Sequence, residues 1–181
     1  MSFKALFLDR DGVINKDLGY VSKIDDFDFF EDIFETCLEF KKKGYKIIIV
    51  TNQSGIARGY FTEDDFLKLT EWMDWNFIDK GIEIDGIYYC PHHYEHGQGK
   101  YKMKCKCRKP EPGMILDAAK EHNINLHHSV LIGDKHSDLL AGHRAGINNL
   151  YLIENKKYVT NEKELFSKTI LNKVSDVLKY I

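Results

Sequence analysis

Two short runs, Ile47-Ile48-Ile49-Val50 and Val130-Leu131-Ile132, are apolar at every position. A strand with one wet face alternates apolar and polar side chains. Unbroken runs therefore require cover on both faces, as the central strands of a parallel sheet have. Similar β-rich stretches recur along the chain, predicting strands over Phe3–Asp9, Tyr45–Thr51, Ile84–Cys90, Ser129–Asp134 and Asn148–Ile153. Segments with helical patterns separate them, near Asp32–Lys43, Thr62–Lys80, Pro112–His122 and Ser137–Ala145. Gly44 and Gly81 stand where helix C-caps belong, and Thr62 with Asp65 three residues later resembles a capping box. Repeated strand–helix units specify an α/β fold, a Rossmann-like and mostly parallel sheet with helices on both faces. The tail Thr169–Ile181 is expected to add an edge strand and a closing helix. With 181 residues and no repeats or linkers, residues 1–181 read as a single domain.

Several function classes fall away on composition. A formal net charge of −2 argues against a protein built to bind nucleic acid. The alternating lysines from Lys100 to Lys109 could track phosphates, but a nucleic-acid module leaves the acidic strand ends unexplained. No stretch approaches the ~20 apolar residues of a membrane span. The opening Met-Ser-Phe-Lys-Ala-Leu-Phe-Leu-Asp lacks a basic region followed by a long apolar run, so a cytoplasmic protein is expected.

In open α/β sheets, ligands bind beyond the carboxyl ends of the strands. The notable polar residues fall there: Asp9, Thr51, Cys90 and Asp134. Asp9 and Asp11 are two residues apart, which puts both carboxylates on one side of an extended chain, about 7 Å apart. One such carboxylate can attack phosphorus while its neighbour handles protons. A calcium loop also uses D-x-D-G, but its sixth position should be Gly and is Ile14, and its twelfth should be Glu and is Tyr20. After the second strand, Thr51-Asn52-Gln53-Ser54-Gly55 offers hydroxyl, amide and backbone donors to a phosphoryl group. Arg108-Lys109 can neutralise phosphate. Asp134, followed by Lys135 and Asp138, is placed to join Asp9 around a hard cation such as Mg2+.

Cys90, Cys105 and Cys107 crowd into a histidine-rich region, whereas Cys37 sits alone in a helical pattern and reads as a small buried apolar residue. In a reducing compartment such clustering favours a metal over disulfides. Three thiolates and one imidazole, from His92, His93 or His96, make a closed tetrahedral zinc site with no open position for water. The segment it encloses has little apolar material to fold on, so a structural Zn2+ would supply what a core cannot.

Together, the strand-end motifs resemble those of the haloacid dehalogenase (HAD) superfamily of phosphohydrolases. DRDGVIN, DLGY, TNQSGIARG, DGIYYCPHH and CKCRKPEPGM are similar, within it, to the phosphatases of heptose bisphosphates. The likeness runs from about Phe3 to Gly146. It implies Asp9 as nucleophile and Asp11 as general acid and then base. It implies Mg2+ on Asp9, the Asp11 carbonyl and Asp134, with Thr51 and Lys109 stabilising the transferring phosphoryl group. Arg10, Asp17, Leu18, Gly19, Tyr20, Asn52, Gln53, Ser54, Arg108 and Lys135 would contact substrate, and His92 would complete the zinc set with Cys90, Cys105 and Cys107. The implied substrate is a small sugar bisphosphate of lipopolysaccharide-precursor metabolism, handled by a monomer. About forty residues between the first two motifs leave no room for a large cap domain, so loops must select the substrate. The histidinol-phosphate phosphatases share the fold, catalytic pair and zinc site, but have a shorter zinc loop and lack SGIARG and DGIYYCPHH.

Overall fold

The computed structural model describes residues 2–154 and 166–181. Six strands, β1 (Lys4–Leu8), β2 (Tyr45–Asn52), β3 (Gly86–Cys90), β4 (Val130–Gly133), β5 (Asn149–Ile153) and β6 (Thr169–Leu171), form one sheet in the order β3-β2-β1-β4-β5-β6. Every neighbouring pair is parallel. The helices are α1 (Ile33–Lys42), α2 (Ser54–Ala57), α3 (Glu63–Asp79), α4 (Gly113–Glu121) and α5 (His136–Ala145).

The unbroken apolar runs are divided residue by residue between two cores. Ile47 and Ile49 face Cys37 and Phe40 of α1 and Met73 and Phe77 of α3. Ile48 and Val50 face Met114, Ile115 and Ala118 of α4 and Leu139 of α5. A period of two sends alternate side chains to opposite faces, so each needs an apolar residue at every position. Cys37 is fully buried, and burial pushes its thiol up to about 12, as suits a core residue.

Element ends follow the chemistry read from the chain. Gly44 and Gly81 adopt φ of +78° and +75° just after α1 and α3, and Thr62 and Asp65 bond reciprocally at the start of α3. The expected strands and helices otherwise end within one residue of the observed ones, with two differences. β3 begins at Gly86 rather than Ile84, because the Asp85 side chain there accepts from the Ile47 N–H, Lys41 and Lys46. The closing helix is a seven-residue 3-10 helix, Val174–Tyr180, whose Val174 and Val177 join the α1 side of the core.

The strand order reverses direction between β1 and β4. Chain connections diverge at that point, leaving a crevice beyond the carboxyl ends of these two strands.

Candidate active site

β1 and β4 pair in register, and the Asp9 N–H donates to the Ile132 carbonyl at 3.2 Å. Asp9 and Asp134 therefore leave adjacent strands side by side. The chain after Asp9 turns at once: the N–H groups of Val13, Ile14 and Asn15 all donate to the Arg10 carbonyl. Gly12 takes φ +92°, and a Cβ on it would lie 2.2 Å from Asp134 Oδ2. Glycine is required here twice, for the backbone and for the approach of that carboxylate.

Lys109, only 3% exposed, spans the crevice. Its Nζ donates to Asp9 Oδ1 at 2.9 Å and to the Val50 carbonyl at 2.7 Å, and pairs with Asp138 Oδ1 at 2.6 Å. Burial alone would lower its pKa, but Asp138 and Asp9 hold it above the ordinary lysine value, so it remains a cation. Asp9 is pushed up to about 6, by burial first and then by Asp138, against Lys109 and Lys135. Asp134 is pushed up to about 8 by burial, then by Asp9 and Asp138, with Lys135 opposing.

Both carboxylate oxygens of Asp134 are buried without a hydrogen-bond partner among the described residues. An unpartnered buried carboxylate is costly, and oxygens of Asp9, Asp134 and Asp138 lie within 4.8 Å of one another. Hard oxygen donors with residual negative charge fit a divalent cation such as Mg2+. Asp138 is already engaged by Lys109 and by the Lys135 N–H at 3.0 Å. Asp9 and Asp134 are therefore the carboxylates left to a metal.

Asp11 stands outside this acidic trio. Its carboxylate accepts from Arg10 Nη2 at 2.9 Å to both oxygens, from Asn15 Nδ2 at 3.0 Å and from Gln53 Nε2 at 3.0 Å. Gln53 Nε2 also donates to the buried Thr51 hydroxyl at 2.9 Å, linking the ends of β1 and β2. Asn52 and Lys109 exchange bonds, Nδ2 to the Lys109 carbonyl and the Lys109 N–H to Oδ1, both at 3.0 Å.

A cavity of about 600 Å3 opens over these groups. Asp17, Gly19 and Tyr20 reach it from the loop after β1, Asn52, Gln53, Ser54 and Gly55 from the turn after β2, and Arg108 and Lys109 from the segment leading to α4. Lys135 lines it too, 3.4 Å from Asp17 Oδ2 and 3.9 Å from Asp134 Oδ1. Burial opposes its charge, but Asp134, Asp9 and Asp17 together raise its pKa.

Two of the residues expected to contact substrate do not line this cavity. Arg10 is 1% exposed and lies behind Asp11, not in the cavity. Its guanidinium sits 5.7 Å from both the Phe27 and Phe66 rings and donates to the Val21 carbonyl at 2.7 Å. Leu18 is 63% exposed and does not line the cavity. The Asp17 carboxylate closes a turn onto the Gly19 N–H at 3.0 Å, with positive φ at Gly19 and Tyr20, and that turn leaves Leu18 outside.

The cysteine cluster closes at the end of β3. Cys107 Sγ lies 3.0 Å from Cys90 Sγ, 3.3 Å from Cys105 Sγ and 3.5 Å from His92 Nδ1. Zn–S bonds of about 2.3 Å give a tetrahedral edge of about 3.8 Å, so these four atoms fit around one ion after slight expansion. The Cys107 and Cys90 thiols are coupled: their contact holds Cys107 down at about 5 and, with burial, pushes Cys90 up, so the pair keeps a proton that a bound metal would displace. His93 points elsewhere: its Nδ1 accepts from the Glu95 and His96 N–H groups. The loop is tied to α4 by the Gly113 N–H donating to the Lys106 carbonyl at 2.9 Å, where a Cβ would stand 2.2 Å from that oxygen. Arg108 Nη1 donates to the His92 carbonyl at 3.4 Å, so the cluster orients the residues that enter the cavity.

Known proteins are similar to this chain along nearly its whole length. A protein of Vibrio cholerae, D-glycero-beta-D-manno-heptose-1,7-bisphosphate 7-phosphatase, is 50% identical over 181 residues, covering 100% of this chain and 97% of its own. The Escherichia coli K12 protein of the same name is 45% identical, covering 97% and 92%. A family model described as HAD-hydrolase-like matches residues 106–173. The chain belongs to the heptose-bisphosphate phosphatases of the HAD-like hydrolases. A crystal structure of D,D-heptose 1,7-bisphosphate phosphatase from B. bronchiseptica, complexed with magnesium and phosphate, superposes with a TM-score of 0.84 at 26% identity, covering 99% of this chain and 100% of that one.

Two further groups belong to this heptose-bisphosphate phosphatase site. Asp138 has a local signal, since Gly-Asp-x-x-x-Asp spacing returns its carboxylate to the strand end one helical turn later. His93, Tyr94 and Glu95 line the cavity, a placement set by the folding of the zinc loop and not by any local pattern.

Proposed function

We propose that this chain is a magnesium-dependent phosphatase that removes the 7-phosphate of D-glycero-β-D-manno-heptose 1,7-bisphosphate, leaving heptose 1-phosphate. One arrangement supports the chemistry above all: buried Asp9 accepts from the Lys109 ammonium and stands beside the Asp134 carboxylate, which has no hydrogen-bond partner among the described residues. The near-half identity along the whole chain to relatives of that name supports the substrate.

Asp9 attacks phosphorus, the bond from phosphorus to the sugar oxygen breaks, and an aspartyl-phosphate forms on Asp9. Asp11, aimed by Arg10, Asn15 and Gln53, donates a proton to the departing oxygen. The resulting carboxylate takes a proton from water, whose oxygen attacks phosphorus and releases phosphate from Asp9. Lys109 and the Thr51 hydroxyl balance the charge on the transferring group. Asp9, Asp134 and the Asp11 carbonyl would hold Mg2+, which when bound supplies positive charge against the phosphate oxygens. Asp17, Gly19, Tyr20, Asn52, Ser54, Arg108 and Lys135 face the rest of the substrate. A structural Zn2+ on Cys90, His92, Cys105 and Cys107 keeps Arg108 and Lys109 in place. The protein acts as a single-domain monomer in the cytoplasm; among the described residues no helix is long and apolar enough to cross a membrane.

Phosphate release should be measured on both anomers of the heptose bisphosphate, fructose 1,6-bisphosphate and histidinol phosphate. The β-anomer is expected to give the highest kcat/KM; faster turnover of histidinol phosphate would overturn the reading. Gel filtration checks the monomer, and elemental analysis checks for about one zinc per chain.

A further inference from the structure

Of the three zinc-loop residues in the cavity wall, His93 has its ring fixed by the loop itself. Its backbone N–H donates to the Tyr101 carbonyl at 3.1 Å, and its carbonyl accepts from the Gly97 N–H at 3.0 Å. Its Nδ1 accepts from the Glu95 N–H at 3.3 Å and the His96 N–H at 3.2 Å. The Tyr94 ring stacks on the imidazole with centroids 5.9 Å apart and planes 12° from parallel. The Tyr101 hydroxyl in turn donates to Glu63 at 2.8 Å, which ties this part of the loop to α3.

A nitrogen that accepts from two backbone N–H groups carries no proton, so the ring is neutral and its one proton is on Nε2. His93 is half-buried, yet Nε2 is not among the buried polar atoms left without a partner, and no hydrogen bond engages it among the described residues. The one free polar atom of this wall residue is therefore a solvent-accessible donor. Arg108 lines the same cavity and donates to the carbonyl of His92, the residue before it. Glu95, on the same wall, already accepts from the Tyr94 hydroxyl at 2.7 Å.

We infer that His93 donates its Nε2–H to an oxygen of the leaving group, the part of the substrate that is not hydrolysed, and holds it together with Arg108. This rests on the sugar-bisphosphate reading above and adds to it a specificity-determining residue on the zinc loop. The oxygen belongs to the far phosphate or to a sugar hydroxyl, since both accept from an N–H. None of the hydrogen bonds of His93 reaches Asp9, Asp134 or Lys109, so it takes no part in bond making. The zinc loop then supplies a substrate contact of its own besides placing Arg108 and Lys109.

The test measures kcat/KM for heptose 1,7-bisphosphate, heptose 7-phosphate and p-nitrophenyl phosphate, which share the transferred phosphate and differ in the leaving group. His93→Asn keeps an acceptor where Nδ1 stands but has no donor at Nε2, whereas His93→Gln places an amide donor near Nε2. In His93→Asn the ratio of bisphosphate to p-nitrophenyl phosphate should fall about 10- to 100-fold, mostly through KM, as for one lost hydrogen bond to a charged group. His93→Gln should recover most of that loss. A loss confined to the bisphosphate assigns the far phosphate; one shared by heptose 7-phosphate assigns a sugar hydroxyl. An Asn variant within twofold of the wild-type ratio, or a Gln variant more impaired than Asn, would leave His93 a loop anchor only and overturn the inference. Imidazole 15N shifts of the wild-type protein give a check that needs no variant to fold: His93 should carry its proton on Nε2, and a proton on Nδ1 would overturn the inference as well. A wild-type enzyme that did not prefer the heptose phosphates to p-nitrophenyl phosphate would instead overturn the substrate reading.

Discussion

Replacing Asp134 by Asn should stabilise the metal-free protein while destroying its activity. The opposing signs come from one observation, a buried carboxylate with no hydrogen-bond partner among the described residues. Its pKa is raised from an ordinary 3.8 to about 8, by burial first and then by Asp9 and Asp138. Between those values the folded state binds more protons than the unfolded state, so this group makes stability fall as pH rises through the window. At about 1.4 kcal/mol per pH unit, the interval from 3.8 to pH 7 corresponds to a ceiling of about 4 kcal/mol. Asp9 and Asp138 share the repulsion and relax when it is removed, so a gain of about 2 kcal/mol is expected. For a chain of this size that raises Tm by roughly 5 °C. The assay is thermal unfolding in EDTA at pH 4 and pH 7.5. Asp134→Asn should exceed wild type at pH 7.5 and match it at pH 4, where the wild-type carboxyl is largely protonated. Added Mg2+ should raise the wild-type Tm and leave the variant unmoved. Equal or lower Tm for the variant in EDTA at pH 7.5, or a gain persisting at pH 4, would refute the reasoning.

Asp9→Asn should reduce kcat by about 10³-fold or more at wild-type Tm, since the amide keeps the shape but cannot attack phosphorus; near-normal turnover would eliminate Asp9 as nucleophile. Arg10→Met should lower kcat about 10- to 100-fold with little change in KM, because Arg10 aims Asp11 from behind and does not reach the cavity. A variant whose whole loss is in KM would return Arg10 to substrate binding. Cys107→Ser should lower zinc content and Tm and raise KM, since the loop that places Arg108 loosens; a zinc-free wild-type protein with unchanged Tm and kinetics would remove the structural role.

What the chain determines by itself is mostly what depends on neighbours in sequence. The doubly apolar runs at Ile47–Val50 and Val130–Ile132 required a two-sided parallel sheet, because alternation along a strand is local geometry. Gly44, Gly81 and the Thr62–Asp65 pair marked helix ends because caps are local hydrogen-bond chemistry. Asp9, Thr51 and Asp134 were legible as candidate site residues because strand ends in such a sheet converge, and the cysteine cluster because two tight ligand pairs can close on one ion. Tertiary structure alone decided which way side chains in the loops turn. Lys109 meets Asp9 across 100 residues, and Lys135 meets Asp17 across 118. Arg10 looked like a substrate contact beside the nucleophile, yet Phe27, Phe66 and the Val21 carbonyl draw it behind Asp11. Leu18 shares a loop with the cavity-lining Asp17, Gly19 and Tyr20, and the turn that Asp17 closes leaves it exposed and off that lining. Asp138 became part of the site only when Lys109 arrived from another element to pair with it. Periodicity reports where the backbone goes. The burial and pairing of charges depend on groups far apart in sequence, and their energies exist only once the chain has folded.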